Sequence, residues 1–140
     1  NRPREALQTL QTAAQLTPNN AEVHFKLALA SHELGEEAQS MAELEKAVTL
    51  DPHHPRAAYN LGLARNTAGD ITGALQALLT AEAASPRDPQ VPYARATILA
   101  RLKQWDRARE AAQRALILDP QFQPAATLLQ QIQALVPNGH

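Results

Sequence analysis

Four prolines, Pro18, Pro52, Pro86 and Pro120, follow one another at intervals of 34 residues. A fixed period of that size marks one supersecondary unit repeated several times, each copy too small to bury its apolar face alone. Other slots keep the same step. Ala13, Ala47, Ala81 and Ala115 form one column of small residues, and Ala6, Ser40, Ala74 and Ala108 form another. Small side chains there let two helix backbones approach closely. Leu10, Leu44 and Leu78 share a third slot, Leu16, Leu50 and Leu118 a fourth, and Leu27, Leu61 and Leu129 a fifth.

Within each period the apolar residues recur at three and four, the spacing of an amphipathic helix. The pattern predicts a lone helix over 3–16 and then three pairs, 21–34 with 37–50, 55–68 with 71–84, and 89–102 with 105–118. A last lone helix covers 124–136. Asn20 is placed to cap the second helix, with Glu22 in its first turn. Gly35 and Gly69 stand where a left-handed residue ends the first helix of a pair. Lys103 holds that slot in the third pair, and a left-handed lysine costs on the order of 1 kcal/mol. The expected organisation is half a unit at 1–20, units at 21–54, 55–88 and 89–122, and a capping helix with a frayed tail at 123–140, all one domain.

The central unit places Leu61-Gly62, Gly69-Asp70, Ala74, Leu78, Ala81 and Pro86 at the positions of a known pattern. It resembles the tetratricopeptide repeat, Trp-x2-Leu-Gly-x2-Tyr, then Ala-x3-Phe, then Pro. The resemblance spans 3–136 and implies an all-α fold, a right-handed superhelical alpha-solenoid of helix-turn-helix repeats. It further implies a non-catalytic protein–protein interaction scaffold that binds a peptide segment of a partner protein in a concave groove. The chain departs from the pattern at the large aromatic slot, which is His24, Ala58 and Pro92, and at Arg95 in a leucine slot. Arg65 falls on a slot that is usually bulky and apolar; a structural pairing with Glu82 or another acid is expected for both arginines.

In this family the first helix of each unit lines the groove. Helical spacing then assigns to it Phe25, Lys26, Leu29 and His32, then Tyr59, Asn60, Leu63 and Asn66, then Tyr93, Thr97 and Arg101. Phe25, Tyr59 and Tyr93 lie 34 residues apart and predict an aromatic column. That column either offers its rings to a ligand or packs between neighbouring first helices with only ring edges exposed. Amides beside aromatics suit an extended or helical peptide. The members of the family that clamp acidic chaperone tails use Lys, Asn and Arg on successive first helices. Here Asn60 fits, while Glu22, Lys26, Gln90 and Ala94 do not, which argues against that subclass.

Other functions find little footing. Thirteen basic residues against fourteen acidic ones give a net charge of −1, no excess for nucleic acid. No apolar run reaches the roughly 20 residues of a membrane span. With no cysteine there is no thiolate chemistry. No phosphate loop, nucleophile elbow or His-Glu-x-x-His pair occurs, so neither an enzyme nor a cofactor is expected. His53-His54 reads as a solvated loop, His24 and His32 as structural or groove residues, and Trp105 as packing on the turn of its own hairpin. A bacterial protein of the cytoplasm or periplasm fits the composition, and a start without methionine fits a processed protein or a piece of a longer one.

One alternative is different in kind. The lone first helix carries Leu7, Leu10, Ala13 and Leu16, and left bare that side would favour association with another copy, a homo-oligomer, or with the upstream part of the parent protein. On this reading the chain is a self-association or spacer segment of a larger bacterial protein, appended to an enzyme or cytochrome.

Overall fold

The structure is a computed structural model describing residues 2–137, so the tail expected to fray lies, beyond Pro137, outside the described residues. Among those residues there are eight helices and no strand: α1 Arg2–Leu16, α2 Ala21–Glu33, α3 Glu37–Leu50, α4 Ala57–Thr67, α5 Ile71–Ala84, α6 Gln90–Arg101, α7 Trp105–Leu118 and α8 Gln123–Leu135. The helices follow the predicted order. The largest boundary difference is at α4, which begins at Ala57 instead of 55. The chain forms two compact units that meet in sequence at Ala84 and Ser85.

In the first unit α2 packs on α3 and α4 on α5, with α1 against α2 and α3 against α4. One cluster joins Phe25 and Ala28 of α2 to Leu44 and Ala47 of α3, Ala57 and Leu61 of α4, and Ala77 of α5. A smaller one sets Leu7 of α1 against Leu27 and Ala30 of α2, with Leu10, Ala14 and Leu34 at its edge. The small-residue columns act as the spacing implied. Ser40 is buried and its hydroxyl donates to the Ala28 carbonyl of the facing helix at 2.8 Å. At Gly62 the approach is closer still: a Cβ there would lie 2.8 Å from Leu78 Cγ and 3.3 Å from the Ala74 carbonyl oxygen. Any side chain in that slot would have to displace Leu78.

In the second unit α6 packs on α7, and α8 lies against α7 and touches α6. Val91, Pro92, Ile98 and Leu99 of α6 are buried, as are Ala108, Ala111, Ala112 and Ala115 of α7. Ala125 and Ile132 anchor α8. Trp105, at the start of α7, is half-buried.

The hairpin turns are alike in both units. Glu36 N–H donates to the Ser31 carbonyl, Asp70 N–H to that of Arg65 and Gln104 N–H to that of Leu99, each at 2.9 Å. These bonds span a left-handed residue, Gly35 (φ 76°), Gly69 (φ 88°) or Lys103 (φ 60°). Lys103 therefore carries the strain its slot predicts. Lys103→Gly is expected to stabilise the fold by about 0.5–1 kcal/mol, the relief of left-handed strain less the looser unfolded chain. The check is a higher denaturant midpoint at unchanged slope.

The closing Asp-Pro turns have their own logic. Proline donates no N–H, so the next available one is two residues past the aspartate. Asp51 Oδ1 accepts from His53 N–H and Asp119 Oδ1 from Gln121 N–H, both at 3.0 Å. No helix among the described residues is long and apolar enough to cross a membrane.

Candidate partner-binding face

In the first unit, Phe25 of α2 shares one buried core cluster with Ala57 and Leu61 of α4. Lys26, Leu29 and His32 stand on α2, and Tyr59, Asn60, Leu63 and Asn66 on α4. Lys26 and His32 are exposed, Leu63 is also exposed, and Leu29, Tyr59, Asn60 and Asn66 are half-buried. Leu29 rests on the edge of the core cluster. His32 is held at the end of α2 by the Glu37 carboxylate, 2.9 Å from its Nδ1.

Phe25 does not belong to that surface. It is 2% exposed, with the His54 ring tilted against it at 4.6 Å and the Arg56 guanidinium 5.1 Å over its face. The ring belongs to the core cluster that includes Ala57 and Leu61 of α4. For this member of the predicted column the packing alternative is the one observed.

The second unit carries Tyr93, Thr97 and Arg101 on α6. Tyr93 is half-buried and meets Phe122 edge-on, 5.5 Å between ring centres at 80°. Thr97 donates its hydroxyl to the Ala94 carbonyl at 2.7 Å, and Arg101 is exposed in the last turn. His54 and Phe122 are 122 − 54 = 68 residues apart, two periods, as are Phe25 and Tyr93. Each pair thus sets a first-helix aromatic on a ring from the loop before the next first helix.

His54 is the residue that sequence reasoning misplaced. Instead of a solvated loop side chain it is 7% exposed. Its Nδ1 accepts the Arg56 and Ala57 N–H groups at 3.2 and 3.1 Å, at the start of α4. That makes Nε2 the protonated nitrogen, and it donates to Glu22 Oε2 at 2.6 Å. The bond to Glu22 ties the beginning of α4 to the beginning of α2. The capping also explains why α4 starts at Ala57. Phe122 stands two periods on in the same repeat slot and the exposed Asp88 one period on, so the slot alone did not mark a packing position.

Two further groups are structural. His24 is buried, its Nδ1 2.6 Å from Glu43 Oε2 and its Nε2 2.7 Å from the Pro18 carbonyl oxygen. Arg65 donates to the Gly73 carbonyl at 3.2 Å and pairs with Glu45 at 3.6 Å, so its acidic partner here is Glu45. Of the side thought bare on α1, Leu7 is buried against α2, Leu10 and Ala13 are half-buried, and Leu16 is 78% exposed.

Family models described as TPR repeat match residues 4–35, and models described as tetratricopeptide repeat match 21–54, 38–89 and 59–121. No curated protein matches the chain. A crystal structure of MamA shares 22% identity at a TM-score of 0.87, over 95% of this chain and 78% of that one. The first TPR of Spaghetti (RPAP3), bound to the HSP90 peptide SRMEEVD, shares 19% at 0.76, over 84% and 94%. The Yersinia enterocolitica type III secretion chaperone SycD, in complex with a peptide of the translocator YopD, shares 17% at 0.75, over 82% and 93%. At these identities the likeness is one of fold.

Proposed function

This chain belongs to the tetratricopeptide-repeat family and has its all-helical solenoid fold, and from that premise we propose that it is a non-catalytic scaffold holding a peptide segment of a partner protein. The observation that supports the reading is the exposure on α2 and α4, where Lys26 and Leu63 are open and Leu29, Tyr59, Asn60 and Asn66 are half-buried. Leucine and tyrosine side chains offer apolar anchorage, and amides can both donate to and accept from a peptide backbone. Two proteins of the same fold, RPAP3 and SycD, have been seen with peptides bound. The core beneath the face, Phe25 with Ala57 and Leu61, is preformed, so little ordering cost falls on this side. Tyr93, Thr97 and Arg101 on α6 are a separate candidate set within the second unit.

The acidic HSP90 tail is not the peptide we propose for this chain. Ala94 offers neither charge nor amide and Gln90 offers no positive charge where such groups would be required, and Glu22 adds a negative charge already engaged by His54. A peptide with apolar side chains and few acids fits better.

The test is peptide-display selection against the intact chain, followed by titration of the winner. Asn60→Ala is expected to weaken binding about 5- to 30-fold, the loss of one or two hydrogen bonds, with an unchanged denaturant midpoint. Equal affinity for the variant and wild type would remove the face from consideration. A second reading, self-association or a spacer role in a larger bacterial protein, rests on the exposed Leu16. A monomer across a concentration series in light scattering would count against it.

A further inference from the structure

The first unit holds two complete hairpins, and the joint between them is slighter than the seams inside them. Inside, α2 packs along α3 and α4 along α5. Across the joint α3 packs on α4, and one core cluster includes Phe25 of α2 with Ala57 and Leu61 of α4. Apolar burial draws two bodies together but is non-directional, so it leaves their angle loosely set. His54 supplies a direction. Its ring is fixed to the start of α4, because Nδ1 accepts the Arg56 and Ala57 N–H groups at 3.2 and 3.1 Å. The same ring reaches α2 twice, through the 2.6 Å bond from Nε2 to Glu22 Oε2 and through the tilted contact with Phe25. Held on both edges, the imidazole acts as a rigid spacer between the two helices. Another polar link across the joint, Arg65 to Glu45, is longer at 3.6 Å, and the Glu45 side chain is 51% exposed. An ion pair that open to water contributes little.

We infer that His54 and Glu22 form a latch that fixes the angle at which the second hairpin stands on the first, which makes His54 a positioning residue for the binding residues of α4. The hydrogen-bonded form of the contact belongs to His54 and not to its slot. Phe122, two periods on, meets Tyr93 edge-on, but a phenyl ring neither caps the helix that follows nor bonds to a carboxylate. The leverage on α4 is large. The helix has 11 residues and spans about 16 Å, so a tilt of ~10° at its start carries its last turn about 3 Å. That displacement is the length of a hydrogen bond. The latch itself stands without a ligand; its service to peptide binding rests on the function proposed above.

Double electron–electron resonance on the intact 140-residue chain measures the joint directly, with no ligand present. The chain has no cysteine, so Glu33→Cys and Thr67→Cys create two unique spin-label sites. Both residues are exposed and end α2 and α4, far along each helix from the latch. The wild-type background should give one narrow distance distribution. Glu22→Ala should shift or broaden it by about 3 Å, and Glu22→Gln, which keeps an acceptor for Nε2, should match wild type. Glu22→Ala should still fold, as circular dichroism will check. Glu22 and His54 border an open cavity of about 710 Å³, from which water can satisfy the freed N–H. His54→Asn keeps an oxygen for the two backbone N–H groups but is too short to reach Glu22. It should disturb the joint as Glu22→Ala does, and combining the two should add nothing. Glu45→Ala removes only the exposed link and should leave the distances as in wild type.

The inference is overturned if Glu22→Ala leaves the distribution unchanged, or if Glu22→Gln is displaced as far as Glu22→Ala. An equal displacement by Glu45→Ala overturns it as well. A displaced joint in Glu22→Ala with undiminished affinity for the selected peptide would remove the positioning role. Failure of every peptide to bind the wild type would count against the proposed function, while the distances would still decide the latch.

Discussion

Glu43→Leu is expected to destabilise the protein by about 3–5 kcal/mol, a large part of the whole stability of a domain this size. Glu43 is 8% exposed, and its partner His24 on α2 is 6% exposed. The His24 ring lies between the Glu43 carboxyl group, 2.6 Å from Nδ1, and the Pro18 carbonyl oxygen, 2.7 Å from Nε2. The two side chains form a buried hydrogen-bonded pair, with Lys46 supporting the second Glu43 oxygen from the surface at 3.2 Å. Removing the carboxylate alone strands the imidazole inside. Removing both partners does not, because an apolar pair of similar volume needs no compensation and the Pro18 carbonyl sits on an exposed residue. His24→Leu/Glu43→Leu is therefore expected within about 1 kcal/mol of wild type, or above it. Urea unfolding of the single and double variants decides the matter. A double variant as damaged as Glu43→Leu would show that the loss comes from shape and not from charge.

The second large effect is expected at the seam between α4 and α5. Leu78 is fully buried, so Leu78→Ala should cost about 2–5 kcal/mol from lost transfer energy and the cavity left behind. Gly62→Ala should cost about 1–3 kcal/mol for the opposite reason, since its Cβ would meet Leu78 Cγ at 2.8 Å. The two changes act on one space. In the double variant the new methyl group enters the room that Leu78 vacated, and the losses should fall short of additive by about 1 kcal/mol or more. Strict additivity would mean that the helices slide apart at Gly62 instead of pressing on Leu78.

The period of 34 carried most of the fold. Eight helices, their pairing and the three left-handed turns follow from proline spacing, small-residue columns and the slot shared by Gly35, Gly69 and Lys103. Those are local properties, repeated often enough to be read without coordinates. The candidate face was legible only in part. Leu29, Asn60, Leu63 and Asn66 stand at least partly open on α2 and α4, as helical spacing implied. Phe25 does not, because its slot faces the next first helix and the loop before it, and sequence spacing along one helix does not reveal what lies against that helix.

The same limit accounts for His54 and Arg65. Nothing local distinguishes a histidine in a polar loop from one that accepts two backbone N–H groups and reaches Glu22, 32 residues away. Nor does the run of α4 say that Arg65 will find Gly73 and Glu45. By itself the sequence determined the repeating unit, its helices and its turns, since these depend on propensity and periodicity within each 34-residue span. Only the tertiary structure decided which polar groups would be buried and which helix side would stay open. Those outcomes depend on partners brought together from different repeats, where distance along the chain carries no information about distance in space.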